Sequence, residues 1–313
     1  MIHVAAAAIF DTEGRVLVTK RADHLHQGGL WEFPGGKRET GESIEQTLAR
    51  ELDEELGIQP LEYDPLIRIK HSYGDRQLQL DFFRVTRYRG RASGLEAQPL
   101  KWLWPSEMDP HKFPQADRPV ITALQLPSRY LITGEDANQL NSFLRRLDYS
   151  LAQGVGIVQL RAHCLSDRDY RQLLSASLPR CRRQGVKLII NRPLRVLDWL
   201  GEADGVHLTS PQLMSLNQRP AEAGFVGASC HNPDELKQAA QLRLDYTLLS
   251  PVAQTSSHPQ ATALGWKRFT EWVDGINIPV YALGGMSPDS LLQAKRAGAQ
   301  GIAGISTFWV LNP

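Results

Sequence analysis

Cysteine, long apolar runs and net charge are all scarce in this 313-residue sequence, and each scarcity excludes a class of protein. Cys164, Cys181 and Cys230 are an odd number, and no two stand two residues apart as a redox or zinc pair would. That excludes a disulfide framework and a structural zinc site, leaving three small buried or half-buried thiols in a reducing, cytoplasmic setting. No stretch reaches the ~18 uninterrupted apolar residues needed to span a bilayer. The opening MIHVAAAAIFDTEG has no basic region, and Asp11 breaks its apolar run, so it reads as a strand rather than a signal peptide. Lys and Arg number 35 against 34 Asp and Glu, a net charge of +1, which gives no electrostatic reason to expect duplex DNA or an anionic membrane as partner. A polyanionic substrate must then be met locally, by a metal and a few basic side chains.

What is present is an ordinary globular composition, 42% hydrophobic and 22% charged, in a chain long enough for two domains of roughly 100–200 residues each. Apolar runs at 2–10 and 15–20 flank Asp11-Thr12-Glu13-Gly14 and predict two strands joined by a turn. A loop from Gly28-Gly29 to Gly41 leads into a charged helix over 43–56, with Ser43 and Gln46 as a capping box and Gly57 as the terminating glycine. Further strands are expected at 78–87 and 100–104, and a short helix at 119–125. Leu126-Pro127-Ser128 is the expected linker between a mixed α/β domain, residues 1–127, and a second domain, 128–313. In the second, strand-like runs at 129–132, 155–160, 186–190, 204–208, 224–228, 245–249, 278–283 and 300–305 alternate with helical stretches at about 138–152, 167–184, 194–200, 232–241, 265–274 and 288–298. Such alternation means parallel βαβ units, and eight strands predict a small (β/α)8 TIM barrel.

The chemistry concentrates in the charged helix. Glu51, Glu54 and Glu55 stand at i, i+3 and i+4, which puts three carboxylates on one face within one turn. Like charges so close repel, and a hard divalent cation removes the penalty. Mg2+ takes oxygen ligands in an octahedron, usually a few carboxylates with waters and substrate phosphates. Arg50 can orient a carboxylate from the side, and Glu42, just ahead of the helix, can fold back towards it. A charge run is usually a solvated face; here the Gly-rich approach loop and the acidic positions coincide.

Gly36, Glu42, Arg50-Glu51-Leu52, Glu54-Glu55 and Gly57-Ile58, with their intervening spacings, fill every fixed position of the Nudix signature, and this part of the chain resembles that family. The resemblance implies an α/β/α sandwich that hydrolyses a nucleoside diphosphate linked to another group, using Mg2+ or, in its place, Mn2+. It implies that Glu51, Glu54 and Glu55 bind metal with help from the Gly35 or Gly36 carbonyl and from Glu96. One carboxylate, Glu51 or the distant Glu96, would activate the attacking water beside Arg50. The metal neutralises pyrophosphate charge and eases deprotonation of bound water, and a base within hydrogen-bond reach takes the proton.

Outside the signature, Thr19-Lys20-Arg21, the run Trp31 to Lys37, Asp75-Arg76, the run Gly94 to Pro99 and the run Phe113 to Ile121 resemble the MutT branch. That branch clears 8-oxo-dGTP from the nucleotide pool, releasing the monophosphate and pyrophosphate. The resemblance implies that Phe33 packs against the base and that Arg21 and Arg76 lie near the nucleotide. One position departs: Asp117 stands where the branch carries Asn. An amide donates to the purine O6 and accepts from the N7–H that only the oxidised base carries. An ionised carboxylate accepts from N7–H but repels O6; a protonated one can do both.

Residues 129–306 resemble the thiamin phosphate synthase and thiazole tautomerase family of (β/α)8 barrels. The carriers are Val158-Gln159-Leu160-Arg161, Ile190-Asn191, the run Ala203 to Leu208, the run Gly227 to Asn232, Leu249-Ser250-Pro251-Val252, and the run Tyr281 to Met286. The family's two metal-binding aspartates fall here at Arg192 and Gln212, and its pyrophosphate lysines at His163 and His258. A cation at Arg192 cannot bind Mg2+, and neutral imidazole is a poorer phosphate partner than Lys. The resemblance leaves Gln159, Arg161, Asn191, Thr255, Ser257, Gly284, Gly285 and Ser306 to hold a phosphate, and His231 at a position the tautomerase branch uses for proton transfer. The first reading is a nucleoside triphosphate-sanitising hydrolase whose barrel binds a thiazole phosphate-like ligand and has lost synthase chemistry. The second is a thiamin-pathway enzyme, its Nudix domain cleaving a thiamin-related pyrophosphate and its barrel working on the product. In the third, the barrel is a scaffold.

Overall fold

The computed structural model describes residues 1–24, 27–73, 76–134, 139–193, 202–220, 223–255, 260 and 262–310. The helix expected at 194–200 lies outside them. The chain divides into two compact units, Met1–Gln125 and Leu126–Pro313.

The first unit is built on one seven-stranded mixed sheet. Central β1 (Ile2–Phe10) runs antiparallel to β2 (Val16–Lys20) and β4 (Gly35–Lys37) and parallel to β6 (Arg76–Gly90). β3 (Trp31–Glu32) and β7 (Leu100–Leu103) pair with β2, and β5 (Ile58–Tyr73) pairs with β6 at the far edge. β1 is apolar at successive positions because both its faces are covered. Ala5, Ala7 and Ile9 pack with Leu48, Leu52 and Leu56 of α1 (Ile44–Leu56), while Ala6, Ala8 and Phe10 pack with Val120, Ile121 and Leu124 of α2 (Arg118–Gln125). Each leucine so buried contributes roughly 1.5–3 kcal/mol. α1 is held at both ends. Ser43 Oγ accepts from the Gln46 N–H at 3.2 Å, Gln46 Oε1 accepts from the Ser43 N–H at 2.7 Å, and Gly57 closes the helix at φ 68°. Such an N-cap is worth about 1 kcal/mol.

β5 is a 16-residue strand that the sequence pattern does not announce, because Pro60 and Pro65 interrupt it. It tolerates them as an edge strand bonded on one side only, with its register shifting around both prolines.

In the second unit β8 (Arg129–Ile132), β9 (Ile157–Leu160), β10 (Lys187–Ile190), β11 (Gly205–Leu208), β12 (Phe225–Cys230), β13 (Tyr246–Leu249), β14 (Val280–Leu283) and β15 (Gly301–Gly304) close in chain order into a parallel barrel. Around it run α3 (Leu140–Ala152), α4 (Asp167–Arg183), α5 (Ser210–Ser215), α6 (Pro233–Gln241), α7 (Gly265–Val273) and α8 (Leu291–Arg296). α5 went unexpected because six residues are too few to show a helical period. The strands alternate between two cores. Tyr130, Ile157, Ile189, Tyr246, Leu248 and Tyr281 fill the interior, and Leu131, Val158, Leu188 and Val206 pack outward with helix residues such as Phe143, Leu147 and Leu173. Gly227 makes room for Tyr246: a Cβ there would stand 2.0 Å from the phenol ring. Cys181 and Cys230 are buried as expected, whereas Cys164 is exposed. Among the described residues no helix is long and apolar enough to cross a membrane.

Candidate active site

On α1, Arg50 is the hub. It donates to both oxygens of Glu42 at 2.7 and 3.1 Å, to Glu51 at 2.9 Å, to Glu54 at 3.0 Å and to the Lys37 carbonyl at 3.0 Å. The Glu42 carboxylate does fold back, and Arg50 holds it down at about 2. The Glu51 carboxylate lies against Gly36, where a Cβ would stand 2.3 Å from it. Burial raises Glu51 despite its arginine partner. Glu55 accepts from the Gly35 N–H at 3.1 Å. Burial, reinforced by the charges of Glu51, Glu32 and Glu96, pushes its carboxyl up to about 8. Glu96 is exposed on the loop after β6, tied down by the Leu95 N–H and the Gln98 amide, both donating to the Glu55 carbonyl at 3.0 Å.

Among the described residues no three Asp, Glu, His or Cys side chains converge into a ready cation cage. Glu51 and Glu54 turn to Arg50 instead, and Glu55 to Gly35. The residues nevertheless fit a hard divalent cation. Their donors are all oxygens on one helix face, Gly36 leaves the space in which Glu51 sits, and the raised Glu55 carboxyl holds a proton that a cation would displace.

At the far end of β2, Arg21 pairs with Glu32 of β3. Asp117 is only 6% exposed. Burial and then the negative charge of Glu32, opposed by Arg21, push its carboxyl up to about 8, so it is largely protonated at neutral pH. The Phe33 ring, expected against the base, packs among aromatic side chains. It is 4% exposed, edge-on to Phe82 at 5.7 Å and tilted against Phe113 at 5.8 Å. Asp75 and the side chain of Arg76 lie outside the described residues.

The barrel opens at the C-terminal ends of its strands into a cavity of 1370 Å³, the end at which barrel active sites are built. Gln159, Arg161, Asn191, His231, Thr255, Gly284, Gly285 and Ser306 all line it; Ser257 and His258 lie outside the described residues. Gln159 Oε1 accepts from Tyr130 OH at 3.1 Å, which leaves its NH2 for the cavity. Asn191 Nδ2 donates to the His207 carbonyl at 2.9 Å, which leaves its oxygen. His231 Nδ1 meets the Ser250 carbonyl at 3.1 Å. Gly284 and Gly285, consecutive residues at φ 96° and 67°, make a bend on the cavity wall that a side chain at either position would strain.

Arg192, at the position where the resemblance places a metal-binding aspartate, does not line the cavity. It stacks on Tyr170 of α4 at 4.6 Å, donates to the Leu165 carbonyl at 2.6 Å and pairs with Asp167 at 3.2 Å. It therefore cannot stand in for a metal's charge there. Gln212 is also turned away, its oxygen accepting from the Thr209 N–H and hydroxyl at 2.8 and 2.9 Å. Sequence reasoning missed Glu32, which couples electrostatically to both Asp117 and Glu55. The two-residue β3 that carries it has no periodicity to read.

A NUDIX domain model matches residues 5–123, and a thiamine monophosphate synthase model matches residues 129–308. The 8-oxo-dGTP diphosphatase of Escherichia coli (strain K12) is 36% identical over 124 residues, 40% of this chain and 96% of that protein. An Aquifex aeolicus (strain VF5) protein provisionally named thiamine-phosphate synthase 2 is 37% identical over 186 residues, 59% of this chain and 99% of that protein. The thiamine-phosphate synthase of Fusobacterium nucleatum is 30% identical over 179 residues, 56% of this chain and 86% of that protein. The chain thus belongs to the Nudix hydrolases, with a MutT-like domain in its N-terminal part, and to the thiamine monophosphate synthase family over its C-terminal barrel.

Proposed function

We propose that the N-terminal domain hydrolyses 8-oxo-dGTP to 8-oxo-dGMP and pyrophosphate with Mg2+, which sanitises the nucleotide pool. The reaction type is that of the Nudix family, which generally uses a divalent metal. The substrate rests on Asp117. A buried carboxyl pushed up to about 8 is neutral at pH 7, so it donates to O6 and accepts from the N7–H peculiar to the oxidised purine. The neutral acid takes over the work of the amide that the MutT branch carries at this position. Glu51, Glu54 and Glu55 would hold the cation, with Glu96 at the edge of the group. When bound, the cation neutralises pyrophosphate charge and makes water easier to deprotonate. Arg50 restrains Glu51 and Glu54 in one orientation, Arg21 and Glu32 lie beside the base reader, and Glu51 or Glu96 takes the water's proton. The test is kcat/KM of the full chain for 8-oxo-dGTP, dGTP and thiamin pyrophosphate. Preference for thiamin pyrophosphate would establish the thiamin-pathway reading in its place.

Selectivity for 8-oxo-dGTP over dGTP should be retained below about pH 8 and lost above it. The sign follows from the raised carboxyl: the neutral, O6-donating form exists below the shifted value and disappears as pH rises through it. Asp117→Asn should keep its selectivity across the same range. Identical profiles for the two proteins would remove Asp117 from base reading.

Gly36→Ala should lower kcat/KM by about 100-fold with the fold intact, because the new methyl displaces the Glu51 carboxylate, and a misplacement of about 1 Å at a reacting centre costs that much. Kinetics with circular dichroism read both effects. Unchanged kinetics would mean that Glu51 has no need of its place.

For the barrel, the cavity with Arg161, Thr255 and the Gly284-Gly285 turn supports a thiazole phosphate-like ligand. Stabilisation of the full chain by thiazole phosphate, read as a second thermal transition moving upward, is the check.

A further inference from the structure

The family of the barrel implies a divalent cation, and the described residues of this cavity do not fit one. Among the described residues, none lining it is Asp or Glu. The charged or titratable side chains among its described lining residues are Arg161, His163 and His231, and the rest of that polar lining is hydroxyl and amide, from Gln159, Asn191 and Thr255 among others. A hard cation placed among these groups would meet a guanidinium and imidazoles instead of carboxylates. The position where a metal-binding aspartate is expected carries Arg192, which is turned out of the cavity. Only 8% of its side chain is exposed, and its contacts are with Tyr170, the Leu165 carbonyl and Asp167. Tyr170 in turn donates to the Leu160 carbonyl at 2.7 Å and accepts from the Asn191 N–H at 3.2 Å. Arg192 therefore clamps α4 to the ends of β9 and β10 from outside the cavity.

We infer that the barrel binds its anionic ligand without a divalent cation, that the ligand is a phosphate monoester rather than a diphosphate, and that Arg192 is a structural strut. This rests on reading the cavity as a phosphate site. A monoester needs about one guanidinium and a few neutral donors, which Arg161, Thr255 and the Gln159 amide supply. A diphosphate brings more charge than that set balances, and a metal ordinarily carries the difference.

The experiment is calorimetric titration of the full chain with inorganic phosphate, once with excess Mg2+ and once with a chelator. Arg161→Ala serves to identify the heat that belongs to the barrel. The Arg161-dependent affinity should agree within about twofold between the two buffers, and Arg161→Ala should weaken it about 10- to 100-fold, the loss of one charge-assisted contact. If that variant fails to fold, Thr255→Val reads the same site through a neutral change. Arg192→Met should lower the melting temperature while leaving phosphate affinity within about twofold of the parent. Phosphate binding that the chelator abolishes and Mg2+ restores would overturn the inference. So would an Arg192→Met protein with unchanged melting and about tenfold weaker phosphate binding. No phosphate binding in either buffer would remove the phosphate-site reading itself, and this inference with it.

Discussion

Glu54→Gln should lower kcat for 8-oxo-dGTP hydrolysis by about a thousandfold, several kcal/mol of lost transition-state stabilisation, with the domain still folded. The chemical loss is a ligand charge. An amide oxygen binds Mg2+ more weakly than a carboxylate, and both phosphate neutralisation and water activation depend on the cation. The structural cost is small because the Glu54 side chain is 58% exposed and pairs with Arg50 at 3.0 Å. Such a pair is worth about 0–1 kcal/mol, and a Gln oxygen can still accept from the guanidinium. Viewed from the carboxylate spacing alone, relief of like-charge repulsion should hold or raise stability. With Arg50 set among Glu42, Glu51 and Glu54, that repulsion is already balanced, and the melting temperature should stay level or fall by at most about 4 °C. Steady-state kinetics across a Mg2+ titration, with thermal melts, decide the matter. Near-normal turnover at saturating Mg2+ would sink the metal assignment.

The full chain should form thiamin phosphate from the pyrimidine pyrophosphate and the thiazole phosphate at least about a thousandfold more slowly than a metal-equipped barrel would, with or without Mg2+. The reaction breaks the bond between the pyrimidine's methylene carbon and a pyrophosphate oxygen, and charge builds on the departing diphosphate. Among the described lining residues only Arg161 carries a permanent positive charge. Arg192 lies just past the end of β10 but supplies no charge to this lining. It is tied to Asp167, Tyr170 and the Leu165 carbonyl instead, and its side chain would have to abandon all three to reach a ligand. A coupled assay for thiamin phosphate, run beside the phosphate titration, separates the outcomes. Robust Mg2+-dependent synthesis would make the chain bifunctional and refute the loss of chemistry.

Features within a few residues of one another were legible before any fold was known. The capping box at Ser43 and Gln46, the Gly57 stop and the Glu51-Glu54-Glu55 face lie within one helix, where the 3.6-residue period converts spacing directly into position. The barrel strands were legible for the same reason: strands buried on both faces read as unbroken apolar runs, and those at 129–132 and 245–249 fall within a residue of β8 and β13. β5 was not legible, since Pro60 and Pro65 look like strand breakers until the strand is known to lie at an edge. Phe82 and Phe113, the ring neighbours of Phe33, were not legible either, because they come from distant segments.

The sequence by itself determined which groups this protein owns: an acidic helix face with its arginine, a parallel barrel, and Asp117 and Arg192 where the resemblances lead one to expect Asn and Asp. Those are statements of identity and local spacing, and short-range geometry follows from them. Only the tertiary structure decided what the two departures mean. Asp117 is largely neutral at pH 7 because the fold buries it near Glu32, 85 positions away in the chain, and desolvation is a property of an enclosure that no single segment supplies. Arg192 is held away from the cavity lining because α4 presents Tyr170 and Asp167 to it from outside the barrel. Its side chain could have gone to either side of the β10 end, and packing partners distant in sequence made the choice.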